Sequence, residues 1–242
     1  MATKKTTRAK PPKTLVHYGS PTIKNLDIWG LPRGKHSIAP GDIARSQRAR
    51  LLYAITAAVG EKGYSATTIA DVVRIAKLSR TTFYQQFADK ESCMIAAYEA
   101  AQFGLVRAVI DSQRAGSSWA ERLRDSTRAY LSYERDYPEM TRAMLIEINA
   151  AGLRAWEHRE AGYERFARMQ KSLYDIARQE RPTLPELPDE VFIGMIAATE
   201  EMVRSYIRAG KLHRVMELER PLLYMLEALY SGAPQAVKVL RS

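Results

Sequence analysis

TIADVVRIAKLSRTTFYQQF, residues 68–87, contains two short helical patterns in direct succession. Thr67 or Thr68 can N-cap the first, in which Ile69, Val72, Val73 and Ala76 recur at i, i+3, i+4 and i+7. Ser79 can cap the second, whose Phe83 and Phe87 turn inward onto Ile69, Ala70, Val73 and Leu78. Two short helices sharing one small apolar contact form a helix-turn-helix, which offers its second helix to the DNA major groove; a plain pair of core helices is the alternative. The second helix leaves Arg80, Thr81, Thr82, Gln85 and Gln86 outside. Arg can fork onto guanine and Gln onto adenine, while Thr serves a base or a phosphate. No Asp or Glu occurs from Ser79 to Ala88, so nothing there repels phosphate.

Outward from this pair the chain stays helical. Leu51, Leu52, Ile55, Ala58 and Val59 give a helix from about Asp42 one apolar face, and Gly63 ends it. Asp89 caps a long helix running to about Arg114, closed by Gly116. Ser118 and Glu121 form a capping box for a helix ending at Tyr137. Pro138 opens the next, and further helices are predicted over about 138–151, 154–180, 189–209 and 212–230. No segment alternates with period two, so the expected fold is all-α with about nine helices.

The 242 residues carry a net charge of +10, and its placement is uneven. Residues 1–100 hold 16 Lys and Arg against 7 Asp and Glu; the remainder holds 21 against 20. A basic part joined to a neutral part predicts a polyanionic partner for the first alone, although a merely basic tail would count the same way. Residues 1–41 contain five of the eleven prolines and no helical period, and read as an arm, disordered at least through Ser20. Within it Ile23, Leu26, Ile28, Trp29 and Leu31 are apolar enough to dock on the body or a partner. Lys4, Lys5, Arg8, Lys10, Lys13, Arg33 and Lys35 could enter a minor groove or only strengthen non-specific binding, with Arg45 and Arg48 facing the DNA backbone.

A lone Cys93 excludes an internal disulfide and fits a reducing compartment; it reads as a small buried hydrophobe, with oxidant sensing as the alternative. The N-terminus lacks a secretory h-region, and the longest uninterrupted apolar run, Val191 to Ala198, is too short for a membrane span. These features predict a cytoplasmic protein with no membrane partner. His17, His36, His158 and His213 have no metal-ligand spacing, and neither a nucleophile elbow nor a P-loop occurs. Glu157 and His158 are neighbours on a helix and point apart. No catalytic residue, metal site or cofactor is expected.

The run from Ser46 to Tyr98, with TTIADV, SRTTFYQQF and ADKE in order, resembles the DNA-binding domain of the TetR (tetracycline repressor-like) family of transcriptional regulators. The resemblance covers about a quarter of the chain. It implies a basic arm (1–41), a helix-turn-helix domain (42–92) and a C-terminal ligand-binding and dimerisation domain (93–242). It also implies a homodimer on a palindromic operator, most often a repressor, released by a small molecule. On the matching positions, Thr67 and Thr68 would contact phosphate, and Arg80, Thr81 and Gln85 would read bases, with Ser79 capping their helix. Thr82, Tyr84 and Lys90 would anchor the DNA backbone. The family usually has Gly where this chain has Lys77. That turn favours a left-handed residue, a non-Gly residue costs on the order of 1 kcal/mol there, and Lys77 could add a phosphate contact.

In the C-terminal part Phe103, Tyr130, Tyr133, Met140, Met144, Trp156, Tyr163, Phe166, Met169 and Tyr174 recur at helical spacing. Singly each is ordinary core; together they suit an apolar cavity for an apolar or amphipathic effector. Val191, Met195, Ala198, Met202, Leu222, Met225, Leu226 and Leu229 occupy more than one face of the last two helices and predict a four-helix dimer interface. Two rival readings use the same residues: a helical small-molecule-binding protein without specific DNA binding, and a basic peripheral protein held on anionic membranes by its arm.

Overall fold

A computed structural model describes residues 40–232. The readings placed on residues 1–39, among them the arm, its apolar cluster, His17 and His36, lie outside the described residues. Those described are entirely helical in their regular structure: α1 (Pro40–Lys62), α2 (Ile69–Ala76), α3 (Arg80–Gln86), α4 (Lys90–Asp111), α5 (Trp119–Asp136), α6 (Pro138–Leu145), α7 (Leu153–Glu180), α8 (Asp189–Arg208) and α9 (Glu219–Ser231).

The caps form where residue chemistry places them. Thr68, Asp89 and Ser118 each close a reciprocal capping box, and Ser79 Oγ accepts from the Thr82 N–H at 3.0 Å. Three boundaries differ from the sequence expectation. The long fourth helix stops at Asp111, not Arg114. The helix expected over 138–151 ends at Leu145 and continues as a 3-10 turn over Glu147–Ala150, before Gly152 at φ 121°. The helix expected over 212–230 begins as a 3-10 turn, Leu212–Leu218. Pro221 explains that break: it cannot donate to the Glu217 carbonyl, and is tolerated only in the first turn of the helix that follows.

One core joins α1–α4 to α6. Leu51, Ile55 and Val59 of α1 pack with Phe83, Met94, Met140 and Met144, so the N-terminal helices share their interior with the helix that follows α5. Gly60 lets α1 approach α6 closely, because a Cβ there would run into the main chain at Glu139. Glu147 Oε2 accepts from the Tyr64 N–H at 3.1 Å, tying the turn after α6 to the loop after α1. A second cluster of Trp119, Tyr174, Phe192 and Tyr230 stacks where α5, α7, α8 and α9 meet. By length and composition alone, α4 is apolar enough to cross a bilayer. In the fold it is a core helix, with Cys93, Met94, Ala97 and Tyr98 buried.

Candidate nucleic-acid interface and effector cavity

The turn between α2 and α3 is fixed by an exception. Lys77 is the only non-glycine residue with positive φ among the described residues (φ 53°, ψ 48°). The Leu78 N–H returns to the Val73 carbonyl at 3.0 Å, so the turn has the geometry usually left to glycine. Arg50, from α1, donates through Nε to the Ala76 carbonyl at 2.9 Å and through Nη2 to the Lys77 carbonyl at 2.8 Å. One guanidinium thereby satisfies the C-terminal carbonyls of α2 and holds the strained residue.

With Phe83 fully buried, α3 turns Arg80, Thr81, Tyr84 and Gln85 to solvent; Thr82 and Gln86 are half-buried. Tyr84 is 57% exposed and stands edge-on to Phe83. Arg45 and Arg48 are exposed on α1, and Arg48 lies over the Phe87 ring at 4.4 Å with Nη1 3.5 Å from the Gln86 carbonyl. Thr68 is exposed, but its hydroxyl is tied to Asp71 at 2.6 Å. Lys62 holds the same carboxylate, which keeps the Asp71 carboxyl far below the ordinary range.

Two expected phosphate contacts take other places. Thr67 is 1% exposed and its hydroxyl donates to the Gly63 carbonyl at 2.8 Å. Lys90 donates to the carbonyls of Tyr64 and Thr67, both at 2.8 Å, and lies over the Tyr64 ring at 3.9 Å, while burial lowers its pKa. Its ammonium is a strut between α4 and the loop before α2. Cys93 is fully buried, and burial raises its thiol pKa, which removes the thiolate that oxidant sensing needs.

The second feature is a cavity of about 380 Å³ walled by α4, α5, α6, α7, α8 and α9. Six of the ten residues expected there line it: Tyr130, Tyr133, Met140, Met144, Phe166 and Met169. Phe103 instead lines a separate groove between α4 and α7. Trp156 is half-exposed and apart from the cavity. Tyr174 is fully buried in the second core cluster, its hydroxyl 2.7 Å from the Tyr230 carbonyl. Tyr163 turns its hydroxyl to Glu200 and Arg204. His158 meets Glu99 at 2.9 Å across α7 and α4.

Two residues that the sequence reading passed over matter more. Glu134 and Glu200 both line the cavity. Glu200 is answered by Arg204 at 2.5 Å and Arg159 at 3.5 Å. Glu134 is only 4% exposed, and burial pushes its carboxyl up to about 7, with the Thr141 hydroxyl opposing the rise and the Glu200 charge adding to it. Their spacing was a readable signal: Glu134 lies three residues after Leu131, and Glu200 four after Ile196, so each falls on the apolar stripe of its helix.

The expected interface residues divide. Met195, Leu222 and Leu226 are buried within the protomer, and Val191, Ala198, Met202 and Met225 are half-buried. Leu229 is exposed. The outer face of α8 and α9 carries other residues: Ile193, Gly194, Ala197, Tyr224 and Ala228.

The sequence profile described as "Bacterial regulatory proteins, tetR family" matches residues 51–97, the segment from the middle of α1 into α4. Residues 51–97 are thus a tetR-type segment. The tetR-type helix-turn-helix of the matched segment is therefore α2 and α3. Solved structures share the fold well beyond the matched segment. FadR from Bacillus subtilis, in complex with stearoyl-CoA, has a TM-score of 0.66 at 16% identity, covering 76% of this chain and 98% of its own. FadR from Bacillus halodurans has a TM-score of 0.63 at 15% identity, covering 82% and 99%. The tetR-family regulator PfmR from Thermus thermophilus has a TM-score of 0.52 at 21% identity, covering 76% and 98%. No curated protein matches the chain.

Proposed function

We propose that this protein is a homodimeric, ligand-responsive transcriptional repressor of the cytoplasm, acting by binding rather than by catalysis. Arg80, Thr81 and Gln85 read bases in a palindromic operator, while Thr82, Tyr84, Arg45 and Arg48 hold the DNA backbone. Residues 42–92 form the DNA-binding part, residues 93–242 the effector and dimer part, and the arm adds non-specific affinity. The exposed face of α8 and α9 forms the dimer contact, with Ile193, Gly194, Ala197, Tyr224 and Leu229 outermost.

The observation that carries this reading is the position of α6. Its Met140, Thr141 and Met144 are cavity wall, while Met140 and Met144 also belong to the core shared with α1. A ligand that reshapes the wall thus presses on the helix against which the DNA-binding part rests. Trp119 and Glu134 line the cavity fifteen residues apart on α5, about 22 Å along the axis, which suits an elongated amphipathic effector. The stearoyl-CoA of the Bacillus subtilis FadR complex is a ligand of that shape class.

The test is a salt-dependent gel shift with the DNA upstream of the protein's own gene. Arg80→Ala should weaken specific binding by roughly 5- to 150-fold, the 1–3 kcal/mol of a base contact, and leave the helical circular dichroism intact. Undiminished binding by the folded variant would overturn the contact assignment. Absence of specific binding by the wild type would favour a scaffold that binds only small molecules.

A further inference from the structure

The two ends of the cavity differ in charge. At one end Arg122, the only arginine of the wall among the described residues, is paired with Glu180 at 2.6 Å and donates to the Ser117 carbonyl at 2.8 Å. At the other, Glu134 meets the cavity beside the Tyr130 hydroxyl, which is buried without a hydrogen-bond partner. The bases near this end stand behind the wall. Arg159 and Arg204 do not line the cavity, and both are spent on Glu200, with Arg204 also donating to the Leu145 carbonyl at 3.1 Å. Among the described residues no ion pair reaches Glu134.

We infer that the ligand enters with a cationic, hydrogen-bond-donating group at its buried end, a protonated amine on a long apolar body, seated against Glu134. This rests on the effector reading above and names the ligand class of the same cavity. The alternatives fit the wall less well. An alkyl methyl at this end would leave the buried Tyr130 phenol without a partner and the Glu134 carboxyl without a countercharge. A carboxylate would face Glu134 and Glu200 with no free base to meet it. An ammonium turns the same acceptors into charge-assisted hydrogen bonds, and its charge favours the ionised form of Glu134.

The experiment compares decylamine, decanol and decanoate, below their aggregation concentrations, by titration calorimetry on the full chain. The wild type should bind decylamine at least about tenfold more tightly than decanoate, the 1.4 kcal/mol of one charge-assisted contact. Glu134→Gln is nearly isosteric; it should lower decylamine affinity by about tenfold and leave decanol within about threefold. Decanoate binding as tightly as decylamine, an unchanged amine-to-alcohol ratio in Glu134→Gln, or no binding of any of the three overturns the inference. Operator gel shifts with the same ligands and with stearoyl-CoA separate the two levels. Release by stearoyl-CoA or decanoate, with decylamine inert, leaves the effector reading standing and removes the cation. Decylamine binding with the expected ratio but without operator release supports the cation and removes the effector role.

Discussion

Glu134 shows how much one residue's surroundings can change its chemistry. Burial and the Glu200 charge lift its carboxyl from an ordinary 4.5 to about 7, so the folded protein holds a proton that the unfolded chain has already released between those values. Folded and unfolded states then bind different numbers of protons, and stability must fall as pH rises through that window. The full span of the shift corresponds to on the order of 3 kcal/mol. Glu134→Gln should therefore flatten the pH dependence of urea unfolding between about pH 4.5 and 7. It should also be more stable than the wild type at about pH 8, by up to about 3 kcal/mol, with little difference at about pH 4. A wild-type profile that does not fall across this range would show that the carboxyl is relieved by something other than its proton.

At the scale of elements, the sequence was most legible where one side chain closes one helix. Thr68, Ser79, Asp89 and Ser118 are caps by local chemistry, and each forms its cap. It was least legible where distant segments meet. Thr67 and Lys90 look like free polar groups in the sequence, but the loop after α1 folds back and takes both. The aromatic periodicity of α7 does not separate Tyr174, which faces the second core, from Phe166, which faces the cavity. Met195, Leu222 and Leu226 look like interface residues in the sequence, yet burial within the protomer claims all three.

The α2–α3 turn lies between these cases. Its left-handed residue was foreseeable from the resemblance, whereas the Arg50 clamp on the α2 carbonyls was not. Because Lys77 holds a left-handed conformation, Lys77→Gly should raise the free energy of unfolding by about 1 kcal/mol, seen as a higher urea midpoint at unchanged slope. A lower midpoint would mean that the Lys77 side chain contributes more than its backbone costs.

For the whole molecule the partner surface is the decisive question, since a helix-turn-helix reads two half-sites one turn of DNA apart only when two copies are joined. The middle of the exposed face of α8 carries the small residues Gly194 and Ala197, and a Cβ on Gly194 would meet nothing within 4 Å. Such a face lets a second helix come close. Ala197→Arg places a long cation in the middle of it. The variant should sediment as a folded monomer and lose cooperative binding to a palindrome, while its far-ultraviolet spectrum stays that of the wild type. A variant that remains dimeric would move the interface elsewhere.

The close approach of Gly60 to Glu139 has a consequence for how such a protein can change. Where two backbones touch without side chains between them, there is no soft layer to absorb a displacement. Substitutions on the walls contributed by α7 and α9, whose lining residues lie outside the core shared with α1, can retune what the cavity admits without being felt by α1. Those at Met140, Thr141 or Met144 alter the cavity and the footing of the DNA-binding helices in one step. Ligand preference is therefore free to drift along most of the cavity, while its α6 wall is bound to two tasks at once.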